Sequence, residues 1–223
     1  MIRVERRALA TLCLLPALSL VCSCANSGIP VDDLGERWQG GFVDPGLLGR
    51  WRACTDPDVD QEIVYTFSDK AGRYRIDSMQ GKKKQGHLEE SVCRTLLVGK
   101  HRFFVMGRAE NEKPKTKKKP GNLFLYTIED DVLTFWEPKG GLLARAVEGK
   151  GVEGEVVRTQ GPDGEATIVS VTLKRLDANT LAFIENLAAK RGNWNKLLQF
   201  KRHGPGMKKA AEPKRPGRYD VPQ

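Results

Sequence analysis

The sequence predicts a mainly β domain, an antiparallel meander that closes into a barrel or half-barrel and carries two short helices. Short runs of β-branched and aromatic residues alternate with polar turns through most of the chain. The 223 residues include 23 glycines, and only 7% are aromatic, which is typical of many short elements joined by turns. About 200 residues follow the amino-terminal segment, enough for one domain with a real core.

Residues 1–23 are predicted to be a secretory signal peptide. Arg3, Arg6 and Arg7 precede an apolar stretch that runs from Ala8 to Val21. This stretch is shorter than the roughly 20 apolar residues that a transmembrane helix needs. We therefore expect the segment to be removed and to take no part in the fold.

The end of this segment, Val21-Cys22-Ser23-Cys24, resembles the lipobox of bacterial lipoprotein precursors. In that family the cysteine thiol receives a diacylglyceryl group, the chain is cut before it, and the new amine is usually acylated with a chain such as palmitate. The resemblance implies that Cys24 is the lipidated first residue and anchors the protein by two or three acyl chains. Ala25, rather than Asp, follows the cysteine, which implies the outer membrane, facing the periplasm. The alternative is a secreted protein cut near Ser23 or Ala25.

Residues 24–46 are predicted to be a tether, because 25–45 contain Gly, Pro and Asp with little periodicity. The β domain is predicted to span 47–203. Glu129, Asp130 and Asp131 give the clearest hairpin turn between two strands. The first seven strands are predicted at Leu47–Ala53, Ile63–Ser68, Tyr74–Met79, Leu88–Val98, Arg102–Arg108, Leu123–Ile128 and Val132–Trp136.

The second half of the domain is predicted to contain the two helices. Leu142–Val147 forms the first, which Gly149 and Gly151 terminate. Asp177-Ala178-Asn179 caps the second, whose apolar face begins at Leu181. The residues 204–223 are basic and proline-rich and cannot bury enough apolar surface to become ordered, so a disordered tail is expected. The remaining strands are predicted at Glu155–Thr159, Thr167–Leu173 and Leu197–Lys201.

Leu48-Gly49-Arg50-Trp51 places a G-x-W motif on the first strand of the meander and resembles the opening of lipocalins and related calycin barrels. In that family the Trp plugs one end of the barrel, and a basic residue from the last strand packs across the indole. The resemblance implies this role for Arg202. The region is also similar to uncharacterised bacterial envelope proteins in its Asp131–Trp136 strand and its Leu181–Ile184 helix start, a resemblance that implies no activity.

The cysteines predict one structural disulfide. Cys13 and Cys22 leave with the signal peptide and Cys24 carries lipid, so that Cys54 and Cys93 remain. In an oxidising envelope compartment these two are expected to pair, closing a loop of about 40 residues and contributing roughly 3–4 kcal/mol.

The formal net charge is +9, and removal of residues 1–23 lowers it by two; most of the remaining excess lies in one loop and in the tail. We expect the loop lysines to contact anionic envelope material, such as phospholipid headgroups or lipopolysaccharide, at about 1 kcal/mol each. The alternative is that they are solvated charges that keep the protein soluble. Nucleic acid is not expected as a partner, because no aromatic residues are interleaved with the basic ones. The loop lysines are Lys113, Lys115, Lys117, Lys118 and Lys119.

No catalytic constellation is visible in the sequence. His87, His101 and His203 are scattered, and none lies in a motif for a nucleophile or a metal-bound water. The acidic run at 56–62 spaces carboxylates as a calcium loop does but lacks the glycine at its sixth position, so we expect a solvated turn. We therefore predict a protein that is not an enzyme and needs no metal or cofactor.

Two functions remain open from the sequence. The first is a binding module that holds a small apolar or lipid ligand in the barrel, lined by Trp51, Phe104, Leu125 and Phe135. The second is an interaction protein that docks on anionic envelope surfaces or on protein partners through its basic loop and tail. If the four side chains fill a small barrel, the second function is favoured. The sequence makes no prediction about the oligomeric state.

Overall fold

The computed structural model describes residues 28–35, 40–54, 63–70, 72–80, 83–87, 91–108, 121–160 and 165–204. Twelve strands and two α-helices are found in this part of the chain. The first nine strands are β1 (Ile29–Val31), β2 (Gly49–Ala53), β3 (Ile63–Asp69), β4 (Tyr74–Gln80), β5 (Lys83–His87), β6 (Ser91–Val98), β7 (His101–Arg108), β8 (Gly121–Glu129) and β9 (Val132–Pro138).

The remaining elements alternate between helix and strand. They are α1 (Leu142–Glu148), β10 (Gly154–Gln160), β11 (Ala166–Leu173), α2 (Ala178–Ala189), a short 3-10 turn at Arg191–Asn193 and β12 (Trp194–Arg202). Both predicted helices are present, and Asp177 caps α2 as expected, since its side chain accepts a hydrogen bond from the Thr180 backbone N–H at 2.8 Å.

Eight strands close into an antiparallel barrel, which confirms the predicted fold class. Their order is β8, β7, β6, β4, β3, β2, β12 and β9, and β9 pairs back onto β8. The predicted hairpin between β8 and β9 is confirmed, because Asp130 and Asp131 both have positive φ, as a two-residue turn of this kind requires. Strand β5 pairs with β4 outside this closed circuit.

The connections of the barrel alternate between its two ends. The turns β3–β4, β6–β7 and β8–β9 are short and lie at one end, which we call the closed end. The connections β2–β3 and β7–β8 and the long excursion 139–193 leave from the other end, which we call the open end. Trp51 of β2 lies at the closed end, where it pairs with Arg202 of β12.

Two apolar clusters lie on opposite faces of the barrel wall, as the alternation of side chains in a strand requires. In β7, Phe104 points into the barrel while Phe103 and Val105 point outward. In β8, Phe124 points inward and Leu123 outward. The inner cluster is rich in aromatic residues, and the outer cluster is covered by β1, α1 and α2.

The predicted tether at 24–46 is wrong for most of its length. Ile29 and Val31 are buried in β1, which pairs with β8 and β11, and Leu34 is buried beside them. Phe42 forms a bridge to Thr95 of β6. The alternation of Ile29 and Val31 covers only one strand period before Asp32 and Asp33 interrupt it, so the sequence did not reveal that this segment completes the outer cluster.

The strand predicted at Leu88–Val98 also differs from the structure. Residues 83–87 form β5 and 91–98 form β6, while 88–90 lie outside the described residues. The predicted signal peptide at 1–23 and the tail after Gly204 lie outside the described residues as well.

Candidate functional site

The side chains predicted to line a ligand site fall into both clusters. Trp51, Phe104 and Phe135 lie together in the inner cluster and are almost fully buried. The rings of Phe104 and Phe135 meet edge to face with centroids 5.7 Å apart, and Phe135 meets Phe200 in the same way at 5.9 Å. These rings fill the barrel near its closed end and leave no ligand site among themselves, the outcome for which the sequence analysis favours the docking function. Leu125 is a correction, because it faces outward and packs in the outer cluster.

Arg202 packs across the indole of Trp51, as the lipocalin resemblance implied. The guanidinium carbon lies 4.2 Å from the ring centroid. The same guanidinium donates to the backbone carbonyls of Leu48 at 3.1 Å and Gly46 at 3.0 Å. The Trp51 indole N–H donates to the Leu47 carbonyl at 2.8 Å. These contacts tie the segment before β2 to the last strand and seal the closed end.

A buried polar network fixes the same segment from inside the barrel. Tyr126 donates its hydroxyl proton to the Asp44 carboxylate at 2.6 Å, and the Asp44 backbone N–H donates to the hydroxyl oxygen of Tyr74. Thr95 Oγ1 lies 2.9 Å from the Tyr74 hydroxyl and 3.1 Å from the Tyr126 hydroxyl. Burial raises the pKa of both tyrosines. These buried polar groups form hydrogen bonds with one another, so the network stabilises the fold.

A cleft opens at the other end, where the barrel wall divides. Strand β9 pairs with β8 only as far as Trp136, and β1 then takes over the edge of β8 from Leu123 to Gly121. Strand β11 extends this wall beyond β1, while the end of β9 and the turn into α1 diverge from it. The cleft between the two walls, which we call the mouth cleft, has a volume of about 610 Å³.

The mouth cleft continues the inner face of the barrel. Met106, Asn122 and Pro30 are direct cross-strand neighbours on β7, β8 and β1, two positions beyond the inward-facing pair Phe104 and Phe124. Residues directly opposite one another in a sheet share a face. The cleft therefore borders the interior that aromatic rings fill nearer the closed end, and Val31, Leu143 and Val171 of the outer cluster line it as well.

The lining of the mouth cleft is amphipathic. Met106, Leu143 and Ile168 contribute apolar surface, and β11 presents an edge of its backbone. This combination suits a small molecule with apolar and polar parts, and the volume lies within the range of ligand pockets, about 300–1,000 Å³. The polar side chains of the lining are Asp32, Asn122, Glu137, Lys139, Ser170 and Thr172.

Sequence reasoning missed this cleft because two of its walls could not be recognised. Strand β1 was assigned to the tether, and its pairing with β8 brings together residues about 90 positions apart, as Pro30 and Asn122 show. The alternation of Ile29 and Val31 was the available signal. No feature of the sequence pattern predicts the pairing of β11 with β1.

The predicted lipid anchor and basic loop lie outside the described residues, but their points of attachment are described. Gly28, four positions after Cys24, lines the mouth cleft. Gly107 pairs with Gly121, and both line the cleft as well. The connection that carries Lys113, Lys115, Lys117, Lys118 and Lys119 therefore begins and ends beside this cleft.

The predicted Cys54–Cys93 disulfide is not formed in the structure, where both residues are thiols. Cys93 pairs with Tyr74, which pairs with Asp69 near the closed end, whereas Cys54 follows β2 toward the open end. Strands β3 and β4 separate the two cysteines, three strand spacings of about 4.8 Å. A disulfide needs Cα atoms within about 7 Å. Cys93 is buried, which raises its pKa to about 12.

In the described part of the chain, none of the helices has the length and the apolar character needed to cross a bilayer. Comparison of the sequence with protein-family models, with curated proteins and with solved structures gives no match.

Proposed function

We propose that the protein is a non-enzymatic envelope lipoprotein that binds a lipid or another amphipathic small molecule in the mouth cleft. The observation that carries the proposal is an amphipathic cleft at the open end, beside a barrel interior that side chains fill. Aromatic side chains occupy the interior around Phe104 and Phe135, and an amphipathic space of about 610 Å³ remains at the mouth.

Because aromatic side chains fill the interior, only part of a ligand can enter the cleft. A long acyl chain has no room beyond Met106, because Phe104 and Phe124 follow directly on β7 and β8. The cleft itself offers side-chain amide, hydroxyl and charged groups on Asn122, Ser170 and Lys139. The polar part of the ligand therefore lies in the cleft, with its apolar part against Met106 and Ile168 or outside.

The charged side chains that line the cleft favour a ligand whose polar part is zwitterionic. Lys139 supplies a cation for a phosphate or carboxylate, and Asp32 and Glu137 supply anions for an ammonium group. A phosphoethanolamine headgroup carries both charges. A purely apolar ligand would leave the three charged side chains without a role and is the less suitable class.

A cleft-filling variant tests this function. Ser170→Phe places a β-compatible aromatic side chain in the cleft, while Thr159→Phe places the same side chain on an exposed position of β10 outside it. Calorimetric titration of the mature chain with a short-chain phosphatidylethanolamine should give saturable binding. We expect Ser170→Phe to weaken it about tenfold or more, roughly 1.4 kcal/mol, and Thr159→Phe to leave it unchanged. Absence of saturable binding, or equal weakening by both variants, would contradict the proposal.

A second candidate function is docking on anionic envelope surfaces through the basic loop. It is favoured by the pairing of Gly107 with Gly121, which places both ends of the loop at the open end. Replacing Lys117, Lys118 and Lys119 by Gln should reduce retention on phosphatidylglycerol vesicles, since each lysine near an anionic surface is worth about 1 kcal/mol. The matched control replaces the tail residues Lys208, Lys209 and Lys214. Equal retention of the loop variant and the wild type would remove this candidate.

A further inference from the structure

We propose that the exterior of the barrel at β2 and β12 docks on the anionic headgroup layer of a bilayer. Four basic side chains carry the proposal, because the strand register places them in two opposed pairs on one exterior face. We call this face the basic wall. It consists of Arg50 and Arg52 of β2, Lys201 of β12 and His203, which follows β12. The proposal is independent of the mouth cleft and of the lipidation of Cys24.

The register of β2 and β12 brings these four side chains together. Lys201 is the direct cross-strand partner of Arg52. The backbone N–H of His203 donates to the carbonyl oxygen of Arg50 at 2.8 Å, which continues the same register two positions along. Directly opposed side chains have Cβ atoms about 4.5–5.5 Å apart, and alternate positions of a strand are about 6.6 Å apart. The basic wall therefore holds its charges in a block of about 5 by 7 Å at the level of the backbone.

The basic wall faces outward, on the side of the barrel opposite the helices. Trp51 and Phe200, which alternate with its residues along the two strands, point into the inner cluster. Strand β2 is four strands from β7 in either direction around the closed circuit of eight. The exterior of β7 packs in the outer cluster, which α1 and α2 cover. The side chains of Arg50, Arg52 and Lys201 are exposed.

Two cations of the basic wall are available to a partner. In the described part of the chain, neither Arg50 nor Lys201 has a side-chain hydrogen bond or an ion pair. Their partners on the flanking strands β3 and β9 are the uncharged residues Thr66 and Val132. Like charges directly opposite one another weaken a sheet, so fold stability does not account for this arrangement. A surface with an excess of one charge attracts the opposite charge.

Two carboxylates that border this side of the barrel are held by other arginines. Asp77 of β4 accepts from Arg75 at 3.2 Å, and Asp131 of the β8–β9 turn accepts from Arg202 at 2.9 Å. Among the described residues, the basic wall therefore keeps its positive charge.

The shape of the basic wall suits a planar partner. The exterior of a closed barrel is convex, so it meets a plane along a strip of neighbouring strands and does not enclose a small anion. Lys196 continues the strip along β12, since it is exposed and pairs with Trp136 on the exterior. A bilayer with anionic lipids presents its phosphates in such a plane, and each Lys or Arg near it strengthens binding roughly fivefold.

Charge-removing variants of the chain from Ala25 to Gln223 test the proposal, since this chain contains every described element and carries no acyl group. The test variant combines Arg50→Gln with Lys201→Gln. The matched control combines Arg145→Gln of α1 with Lys190→Gln after α2, which are exposed on the opposite side and remove the same charge. All three proteins keep the same loop lysines and the same tail. Binding is measured by co-sedimentation with vesicles of phosphatidylcholine, with and without phosphatidylglycerol.

We expect the test variant to bind the phosphatidylglycerol vesicles on the order of twentyfold more weakly than the wild type, and the control to bind about as tightly as the wild type. Exchange of the two cations, Arg50→Lys with Lys201→Arg, keeps the charge and should preserve binding. Vesicles of phosphatidylcholine alone should bind none of the proteins.

Equal binding of the wild type and the test variant, or equal weakening by the control, would overturn the proposal. Competition by soluble polyglutamate or inorganic phosphate, at the charge concentration of the anionic lipid, would also overturn it, because the partner would then be a soluble anion. None of these outcomes bears on the mouth cleft, whose test is the calorimetric titration of Ser170→Phe.

Discussion

Replacing Asp44 by alanine should destabilise the domain by about 3 kcal/mol, because this buried carboxylate ties the segment before β2 to the barrel. The Tyr126 hydroxyl donates to it at 2.6 Å and the Gly46 N–H at 2.8 Å. A hydrogen bond to a charged group is worth about 1.5–3 kcal/mol, and Thr95 remains as a partner for Tyr126 in the variant. Arg102, at 3.4 Å, is 44% exposed and adds under about 1 kcal/mol.

The expected loss corresponds to a fall in Tm of roughly 6–12 °C for a domain of this size. Urea unfolding followed by tryptophan fluorescence would give the free energy of unfolding directly. The matched control is Asp69→Ala, an exposed carboxylate that accepts from the Gly72 N–H at 2.9 Å, for which we expect less than about 1 kcal/mol. A double-mutant cycle that combines Asp44→Ala with Tyr126→Phe should show a coupling free energy between the two side chains. A loss below about 1 kcal/mol for Asp44→Ala would refute the role given to the network.

Three further predictions concern the closed end and the cysteines. Arg202→Met should lower the free energy of unfolding by about 2 kcal/mol, through loss of the contact with Trp51 and of two bonds to backbone carbonyls; an unchanged urea midpoint would contradict this. Because burial raises the pKa of Tyr126, the folded state favours the neutral phenol, so stability should fall as pH rises above about 10, and Tyr126→Phe should flatten that fall; identical pH profiles would count against it. In the mature protein a thiol reagent should modify Cys54 rapidly and Cys93 only after unfolding, since burial raises the pKa of Cys93 to about 12; rapid modification of both, or of neither, would show a different arrangement.

The sequence predicted the barrel well because its strands carry local signals. The apolar run Phe103-Phe104-Val105 is typical of a strand in a wall with two buried faces, and Glu129-Asp130-Asp131 indicates a hairpin turn. The resemblance to lipocalins, through the G-x-W motif, implied that Trp51 plugs one end and that Arg202 packs across it.

The candidate site was less predictable, since it depends on pairings between distant segments. Leu125 was assigned to the interior, although the neighbouring Phe124 and Tyr126 take the inward positions and a shift of one residue reverses the face. The disulfide was inferred from the number of cysteines and the expected compartment. Only the strand order shows that β3 and β4 separate Cys54 from Cys93.

Native mass spectrometry of the protein extracted from its own membranes tests the central claim most directly. We expect the mass of the chain from Cys24 to Gln223 with its acyl chains, both thiols reduced, and a noncovalent adduct with the mass of a phospholipid that is released on activation. Ser170→Phe should carry the acyl chains without the adduct, and Thr159→Phe should carry both. An acylated wild-type protein without any adduct, or an adduct that Ser170→Phe retains in full, would contradict the assignment of the mouth cleft as the ligand site.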